Sequence, residues 1–222
     1  MFEDRFHMTQ AENIFLAKRN LVDSIWKSAQ LEGINVTFPD THAIVERAVV
    51  QNLPVDDVEK ILNLREAWRF VLNTLDEPLE LDWLCRLHGF VGRGEALNAG
   101  YLRDGDVGIA GTSWQPPLPH KAEITQGLDT ILNPKNSITQ QALDLLFWLM
   151  KSQLFWDGNK RTAILAANKL TITNGAGVIA VPVELITEFN AVLSTYYEKQ
   201  TEAALFHAQE FIYTHAIEGI TR

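Results

Sequence analysis

The chain has 222 residues, of which 46% are hydrophobic and 21% are charged, and its formal net charge is −9. This composition is typical of a soluble globular protein and excludes disordered, collagen-like and disulfide-rich chains. The acidic balance argues against nucleic-acid binding through a general positive field. The chain has a single cysteine, Cys85, and its first residues lack a basic region followed by an apolar segment. Both features predict a cytoplasmic protein.

Apolar residues recur at helical spacing through most of the chain and predict a mostly α-helical protein. A first long helix is predicted to end between Gly33 and Pro39, and a second to begin at Thr41. A third follows Pro54 and ends before Pro78. Further helices are predicted at 81–91, 121–132, 137–152, 159–173, 183–199 and 202–217.

The helical pattern stops between 89 and 119, because glycine and proline recur too often there for a helix. Leu102, Val107 and Ile109 are the strand-like residues of this stretch, so we expect a short β-hairpin with its turn at 104–106. No repeat or low-complexity linker divides the chain. The apolar run at 145–150, the longest near the middle, is far shorter than the roughly 18 residues that a membrane-spanning helix needs, so no membrane insertion is expected.

The most unusual segment is 153–162, which reads Gln-Leu-Phe-Trp-Asp-Gly-Asn-Lys-Arg-Thr between two apolar helices. Its Asp-Gly-Asn at 157–159 is typical of a turn, and a helix-forming run follows. Such a turn directs free N–H groups and the positive end of a helix dipole at one spot, beside Lys160 and Arg161, which suits a phosphate. Asp157 can hold a divalent cation there. The alternative is that the polar turn residues only cap the helix and the two cations are solvated.

These residues resemble the motif of the Fic/Doc (Fido) family, His-x-Phe-x-Asp/Glu-Gly-Asn-Gly/Lys-Arg, which lies in a loop between two central helices. The matching positions are Phe155, Asp157, Gly158, Asn159, Lys160 and Arg161. Upstream, 100–103, 107–111 and 116–117 are similar to the family's flap hairpin. Further upstream, 28–33 matches the family's inhibitory pattern, Ser/Thr-x-x-x-Glu-Gly/Asn.

The resemblance implies an all-α fold, a Fic-type helical bundle with a short β-hairpin flap, in a single domain over 1–222. An amino-terminal inhibitory-helix region is expected over about 1–40, a core with the flap and the motif loop over about 80–175, and carboxyl-terminal helices over about 180–222.

The resemblance also implies ATP or another nucleotide and Mg²⁺ as ligands. Asp157 would position the metal, and Arg161 would neutralise phosphate charge. The anion cradle is assigned to Gly158, Asn159, Lys160 and Arg161. A target protein would dock by strand pairing beside the flap residues Val107, Gly108 and Ile109. No membrane or nucleic-acid partner is expected, and self-association is left open.

Two positions depart from the family pattern. The family's His is Gln153 here, and an amide cannot accept a proton at neutral pH, so Gln153 can only orient an acceptor. The second Arg of AMP-transferring members is Ile164, and together with Lys160 this resembles the Doc branch, whose members phosphorylate their targets. Three alternatives follow: a slow AMP- or phosphoryl-transferring enzyme, a catalytically silent regulator on the same fold, or a helical interaction module whose loop binds nothing.

The inhibitory pattern occurs twice. Ser28, Glu32 and Gly33 form one copy, and 214–219, with Glu218, forms the other. We favour the first copy, because the residues after Gly33 continue as in family members with amino-terminal inhibitory helices. The alternative is that Glu32 is an ordinary residue near a helix end, where a following Gly is common.

Overall fold

Ten α-helices account for most of residues 1–51 and 53–220, which are the residues described by this computed structural model. They are α1 (Gln10–Arg19), α2 (Leu21–Leu31), α3 (Phe38–Val45), α4 (Val55–Asn73), α5 (Leu81–Val91), α6 (Lys121–Ile131), α7 (Ile138–Ser152), α8 (Asn159–Thr173), α9 (Ile186–Lys199) and α10 (Glu202–His215). A 3₁₀ turn, Val183–Leu185, precedes α9.

The prediction of one long first helix is wrong, because Asn20 separates two helices, α1 and α2. Thr9 begins α1 with a capping box, in which its hydroxyl accepts from the Glu12 N–H at 3.2 Å. The expectation that Pro39 lies before the next helix is also wrong. Thr37 caps α3, and Pro39 lies in its first turn, where the missing N–H of proline is harmless.

Helices α7 and α8 form the centre of the bundle, and most of their side chains are buried. Neighbouring helices cover both of them on several sides, and the buried residues of α8 include polar ones such as Asn168 and Lys169, which are hydrogen-bonded. Loop 153–158 joins the two helices and therefore lies against the core. The predicted helix 159–173 matches α8, whereas the predicted helix 202–217 ends earlier, at His215.

The described residues contain one short antiparallel strand pair, formed by β1 (Val178–Ile179) and β2 (Ile217–Glu218). Val178 lies opposite Glu218 in this pair. The prediction of an all-α bundle with a short strand pair is confirmed, but the predicted position of the hairpin at 104–106 is wrong. No residue from 100 to 120 lies in a strand. None of the helices within the described ranges is long and apolar enough to cross a membrane.

Candidate active site

Loop 153–158 changes direction at two residues with positive φ. Gln153 ends α7 at φ 46°, and Gly158 caps the start of α8 at φ 71°. A Cβ atom at Gly158 would lie 2.9 Å from Cγ1 of Val91, so only glycine fits this position without displacing α5. The loop therefore brings the amino terminus of α8 close to α5.

Asn159 holds the loop together from inside. Its Oδ1 accepts the Phe155 N–H at 2.9 Å, and its Nδ2 donates to the Phe155 carbonyl at 2.8 Å. The same Nδ2 donates to Oε1 of Gln153 at 3.1 Å. The side chain predicted to contact an anion is thus used within the loop, and only the backbone N–H of Asn159 belongs to the helix terminus that can bind one.

Gln153, which the sequence analysis placed at the His of the motif, has partners at both ends of its amide. Its Nε2 donates to the Met150 carbonyl at 2.7 Å, while Oε1 accepts from Asn159. The side chain borders the cavity described below. A neutral, hydrogen-bonded amide therefore borders the cavity at this position.

A cavity of about 410 Å³ lies in front of the loop, a volume in the range of small-ligand sites. Its walls come from α2, the flap segment, the motif loop and α9. The lining residues are Glu32, Gly108, Ile109, Ala110, Gln153, Trp156, Asp157, Gly158, Asn159, Lys160, Asn190, Leu193, Ser194 and Tyr197. Of the three predicted docking residues, Gly108 and Ile109 line this cavity and Val107 does not.

The two motif cations have different environments. Lys160 lines the cavity, and its Nζ lies 3.9 Å from Oε1 of Glu32. Arg161 is 3% exposed, is absent from the cavity wall, and forms a bidentate pair with Glu95 at 2.9 Å for both contacts. Burial disfavours the charged guanidinium, but the hydrogen bonds to Glu95 and the charge of Glu32 raise the pKa of Arg161 overall. A ligand in the cavity therefore meets Lys160 before Arg161.

Glu32 extends from the end of α2 to these cations. Its Oε2 lies 3.7 Å from Nε of Arg161, and both Oε1 of Glu32 and Nε of Arg161 are buried without a hydrogen-bond partner among the described residues. Gly33, at φ 78°, ends the helix directly after it, and the Ser28 carbonyl accepts the Glu32 N–H at 3.3 Å. The second copy of the pattern lies elsewhere, because Glu218 pairs with Lys27 at 2.8 Å.

Asp157 lies at the mouth of the cavity with 57% of its side chain exposed, and its Oδ1 is 3.5 Å from Nη2 of Arg161. The described residues hold no group of three or more His, Cys, Asp or Glu that could bind a metal ion by itself. One carboxylate is nevertheless a suitable donor set for Mg²⁺, which takes one or two carboxylates and completes its shell with waters and substrate phosphates. Asp157 thus fits the role of a single protein ligand.

Two buried residues that the sequence analysis gave no role support the site. His88 of α5 is fully buried, and its ring stacks on Phe155 at 3.8 Å. Arg103 ties the flap segment to the motif loop, because its Nε donates to the Gln153 carbonyl at 2.6 Å and its Nη2 donates to the Pro116 carbonyl at 3.0 Å. Arg103 lies in the segment that resembles the flap, but its contact with the motif loop, like that of His88, joins residues distant in sequence, so only the folded arrangement reveals these roles.

An α-helical bundle in which a short loop between two buried central helices faces a cavity has the architecture of a Fic domain. Residues 78–171 match the family model described as the Fic/DOC family. This segment of the chain, which contains α5 to α7, the motif loop and most of α8, is similar to members of that family.

Curated relatives and solved structures show the same similarity. The protein adenylyltransferase fic-1 of Caenorhabditis elegans is 24% identical over 180 residues, which cover 76% of this chain and 35% of the relative. The solved structure of Fic-1 (aa134 - 508) from C. elegans has a TM-score of 0.76 at 20% identity, covering 90% of this chain and 62% of that one. A Fic domain containing signaling protein from Bacteroides thetaiotaomicron has a TM-score of 0.74 at 15% identity, covering 89% and 83%. The chain spans about a third of the length of the curated relatives that it matches.

Proposed function

We propose that this protein binds ATP or another nucleotide together with Mg²⁺ in the 410 Å³ cavity and transfers AMP or a phosphoryl group to a protein hydroxyl at a low rate. The observation that carries the proposal is the position of Glu32. Its carboxylate occupies the space in front of Lys160 and the amino terminus of α8, which is where a phosphate would bind. The relatives that are named protein adenylyltransferases support the reaction class.

The geometry supports the proposed binding roles. Backbone N–H groups of Gly158, Asn159 and Lys160 provide donors at the start of α8, and the Lys160 ammonium provides a charge that a ligand can reach. Asp157 would hold Mg²⁺, which, when bound, neutralises phosphate charge. Arg161 contributes its charge from behind the loop, held by Glu95.

The transfer step needs a phosphorus–oxygen bond to form at the target hydroxyl while the bond to the leaving group breaks. For ATP the leaving group is pyrophosphate in AMP transfer and ADP in phosphoryl transfer. The hydroxyl proton must pass to solvent or to the leaving group, because the Gln153 amide cannot take it. A missing general base typically lowers the rate by about 10²–10⁴-fold, so positioning and charge stabilisation would leave a slow reaction. The proposal therefore includes reduced activity.

The target would dock along the flap segment. Residues 107–109 lie outside any strand, and Gly108 and Ile109 also line the cavity. A peptide that paired with Val107–Ile109 would thus bring its side chains to the edge of the nucleotide site.

A second function is a catalytically silent nucleotide- or protein-binding regulator on the same fold. Gln153 favours it, because both amide atoms already have partners, the Met150 carbonyl in α7 and the Asn159 side chain at the start of α8. The same cavity would then bind nucleotide without turnover.

The test uses Glu32→Gln protein with ATP labelled at either the α or the γ phosphate, with Mg²⁺ or with a chelator. Binding is followed by calorimetry, and label transfer to the protein itself or to a lysate is followed after gel electrophoresis. Label from the α position indicates AMP transfer, and label from the γ position alone indicates phosphoryl transfer. Binding without transfer supports the regulator, and the absence of ATP binding refutes both the enzyme and a nucleotide-binding regulator.

A further inference from the structure

His88 connects three segments around the motif loop. Its Nδ1 lies 2.9 Å from the Gly100 nitrogen, its Nε2 lies 2.8 Å from the Asp157 carbonyl oxygen, and its ring is parallel to Phe155 within 4°. The residue is completely buried. It is thus placed to fix the loop without contacting a ligand.

The hydrogen bonds define where the proton of this ring lies. The Gly100 N–H can only donate, so Nδ1 accepts, and the proton is on Nε2, which donates to the Asp157 carbonyl. Burial, with a further contribution from Arg161, lowers the pKa of His88 to about 4, so the ring is neutral at pH 7.

A trans peptide unit directs its carbonyl and its N–H to opposite sides. Because the Asp157 carbonyl faces His88, the Gly158 N–H of the same peptide unit faces away from α5 and donates to Oδ1 of Asp157. Gly158 also lines the cavity. The hydrogen bond from His88 therefore sets the orientation of this peptide dipole relative to the cavity.

We propose that His88 is a positioning residue that holds the Asp157–Gly158 peptide with its N–H, and not its carbonyl, toward a bound phosphate. The inference rests on the proposed nucleotide site. Gly158, at φ 71°, has no side chain to resist rotation of this peptide unit, and Asp157 is exposed. Without the Nε2 donor, the carbonyl can turn toward the cavity, where its partial negative charge would repel an anion.

Two substitutions separate the two hydrogen bonds of the ring. In His88→Asn the side-chain oxygen takes the place of Nδ1, which retains the Gly100 contact and loses the Asp157 contact. In His88→Gln the side-chain nitrogen takes the place of Nε2, which retains the Asp157 contact and loses the Gly100 contact. Each variant also loses the stacking on Phe155, so their melting temperatures should fall by similar amounts.

The experiment measures inorganic pyrophosphate, ATP and adenosine binding to both variants in the Glu32→Gln background. We expect His88→Asn to weaken pyrophosphate and ATP by at least about tenfold, the scale of a hydrogen bond to a charged group, and to leave adenosine within about twofold. His88→Gln should restore phosphate binding to within about threefold of the background. Equal pyrophosphate affinities for the two variants would overturn the inference and leave the proposed function standing.

A second measurement needs no substitution at His88. In the Glu32→Gln protein, the resonance of the Gly158 backbone amide proton should shift when pyrophosphate is added, because the N–H then donates to the phosphate in place of Oδ1 of Asp157. Pyrophosphate binding without this shift would overturn the inference alone. If neither pyrophosphate nor ATP binds, both the inference and the proposed function are refuted.

Discussion

The guanidinium of Arg161 is held end-on by the carboxylate of Glu95, with Nη1 and Nη2 each 2.9 Å from an oxygen atom. The remaining edge of the guanidinium faces two other carboxylates, Glu32 at 3.7 Å and Asp157 at 3.5 Å. Arg161 therefore links the start of α8 to the loop that follows α5. In this arrangement the motif arginine supports the loop, and Lys160 is the cation that faces the cavity.

The first prediction is that Arg161→Ala destabilises the protein by about 3 kcal/mol, because removing one partner of a buried pair leaves uncompensated carboxylates. Urea unfolding followed by circular dichroism measures this change. Arg69→Ala is the matched control, since Arg69 is 53% exposed in its pair with Glu66 and should change stability by about 1 kcal/mol or less. Similar losses in the two variants would show that Glu95 does not hold Arg161 in solution.

The sequence allowed the main helices and the turn before α8 to be predicted, because helical periodicity and the Asp-Gly-Asn turn are local signals. The partners of that loop are distant in sequence. His88 reaches it from 69 residues away and Glu95 from 66, and no local pattern indicates such contacts.

The prediction of a hairpin in the flap segment is wrong for a related reason. Alternating apolar residues predict a hairpin, but the segment is held by hydrogen bonds from the Arg103 guanidinium to backbone carbonyls, including that of Gly105 at 2.6 Å. The Trp156 ring fills the space beside Gly105, where a Cβ atom would lie 2.5 Å from it. Tertiary contacts thus override the local strand propensity in this stretch.

The second prediction concerns the two copies of the inhibitory pattern. Glu32→Gln should raise ATP affinity by about tenfold or more, because it removes a negative charge within 4 Å of Lys160 and Arg161. Glu218→Gln is the matched control, since Glu218 pairs with Lys27 and should leave ATP affinity unchanged. Calorimetry with Mg²⁺ measures both variants. An increase in affinity from Glu218→Gln, with none from Glu32→Gln, would assign the inhibitory role to the other copy.

The third prediction is that Gln153→His increases label transfer from ATP by about 10²-fold or more, because it supplies a proton acceptor at the cavity. Histidine is among the residues that tolerate the left-handed conformation at this position, φ 46°, so the backbone can stay as it is. The gain should grow as pH rises through about 6.5, where imidazole loses its proton.

The control for this gain is Gln153→Asn, which keeps an amide and also tolerates the left-handed region. It should show no increase in transfer at any pH. If Gln153→His binds ATP as tightly as the parent and still transfers no label, then the absence of a base is not the limiting defect, and Ile164 at the position of the second Arg becomes the better explanation.

The last prediction concerns pH and stability. The pKa of His88 is lowered from 6.5 to about 4 in the folded protein, mainly by burial. The unfolded chain therefore binds a proton more readily than the folded one between these values, so the stabilising effect is complete above pH 6.5 and is lost as pH falls toward 4. Lowering the pH from 7.5 to 5 should reduce the free energy of unfolding by about 2 kcal/mol through this residue.

The measurement is urea unfolding at both pH values for the parent and for His88→Gln, which has no titrating side chain at that position. The variant is less stable at pH 7.5 because it loses the Gly100 contact and the stacking on Phe155. Its stability should nevertheless depend on pH less than that of the parent, by the same 2 kcal/mol or so, since the other titrating groups are shared. Equal pH dependence in the two proteins would mean that His88 titrates near its ordinary pKa in the folded state, and that its ring is not held between Gly100 and Asp157 as a buried neutral group.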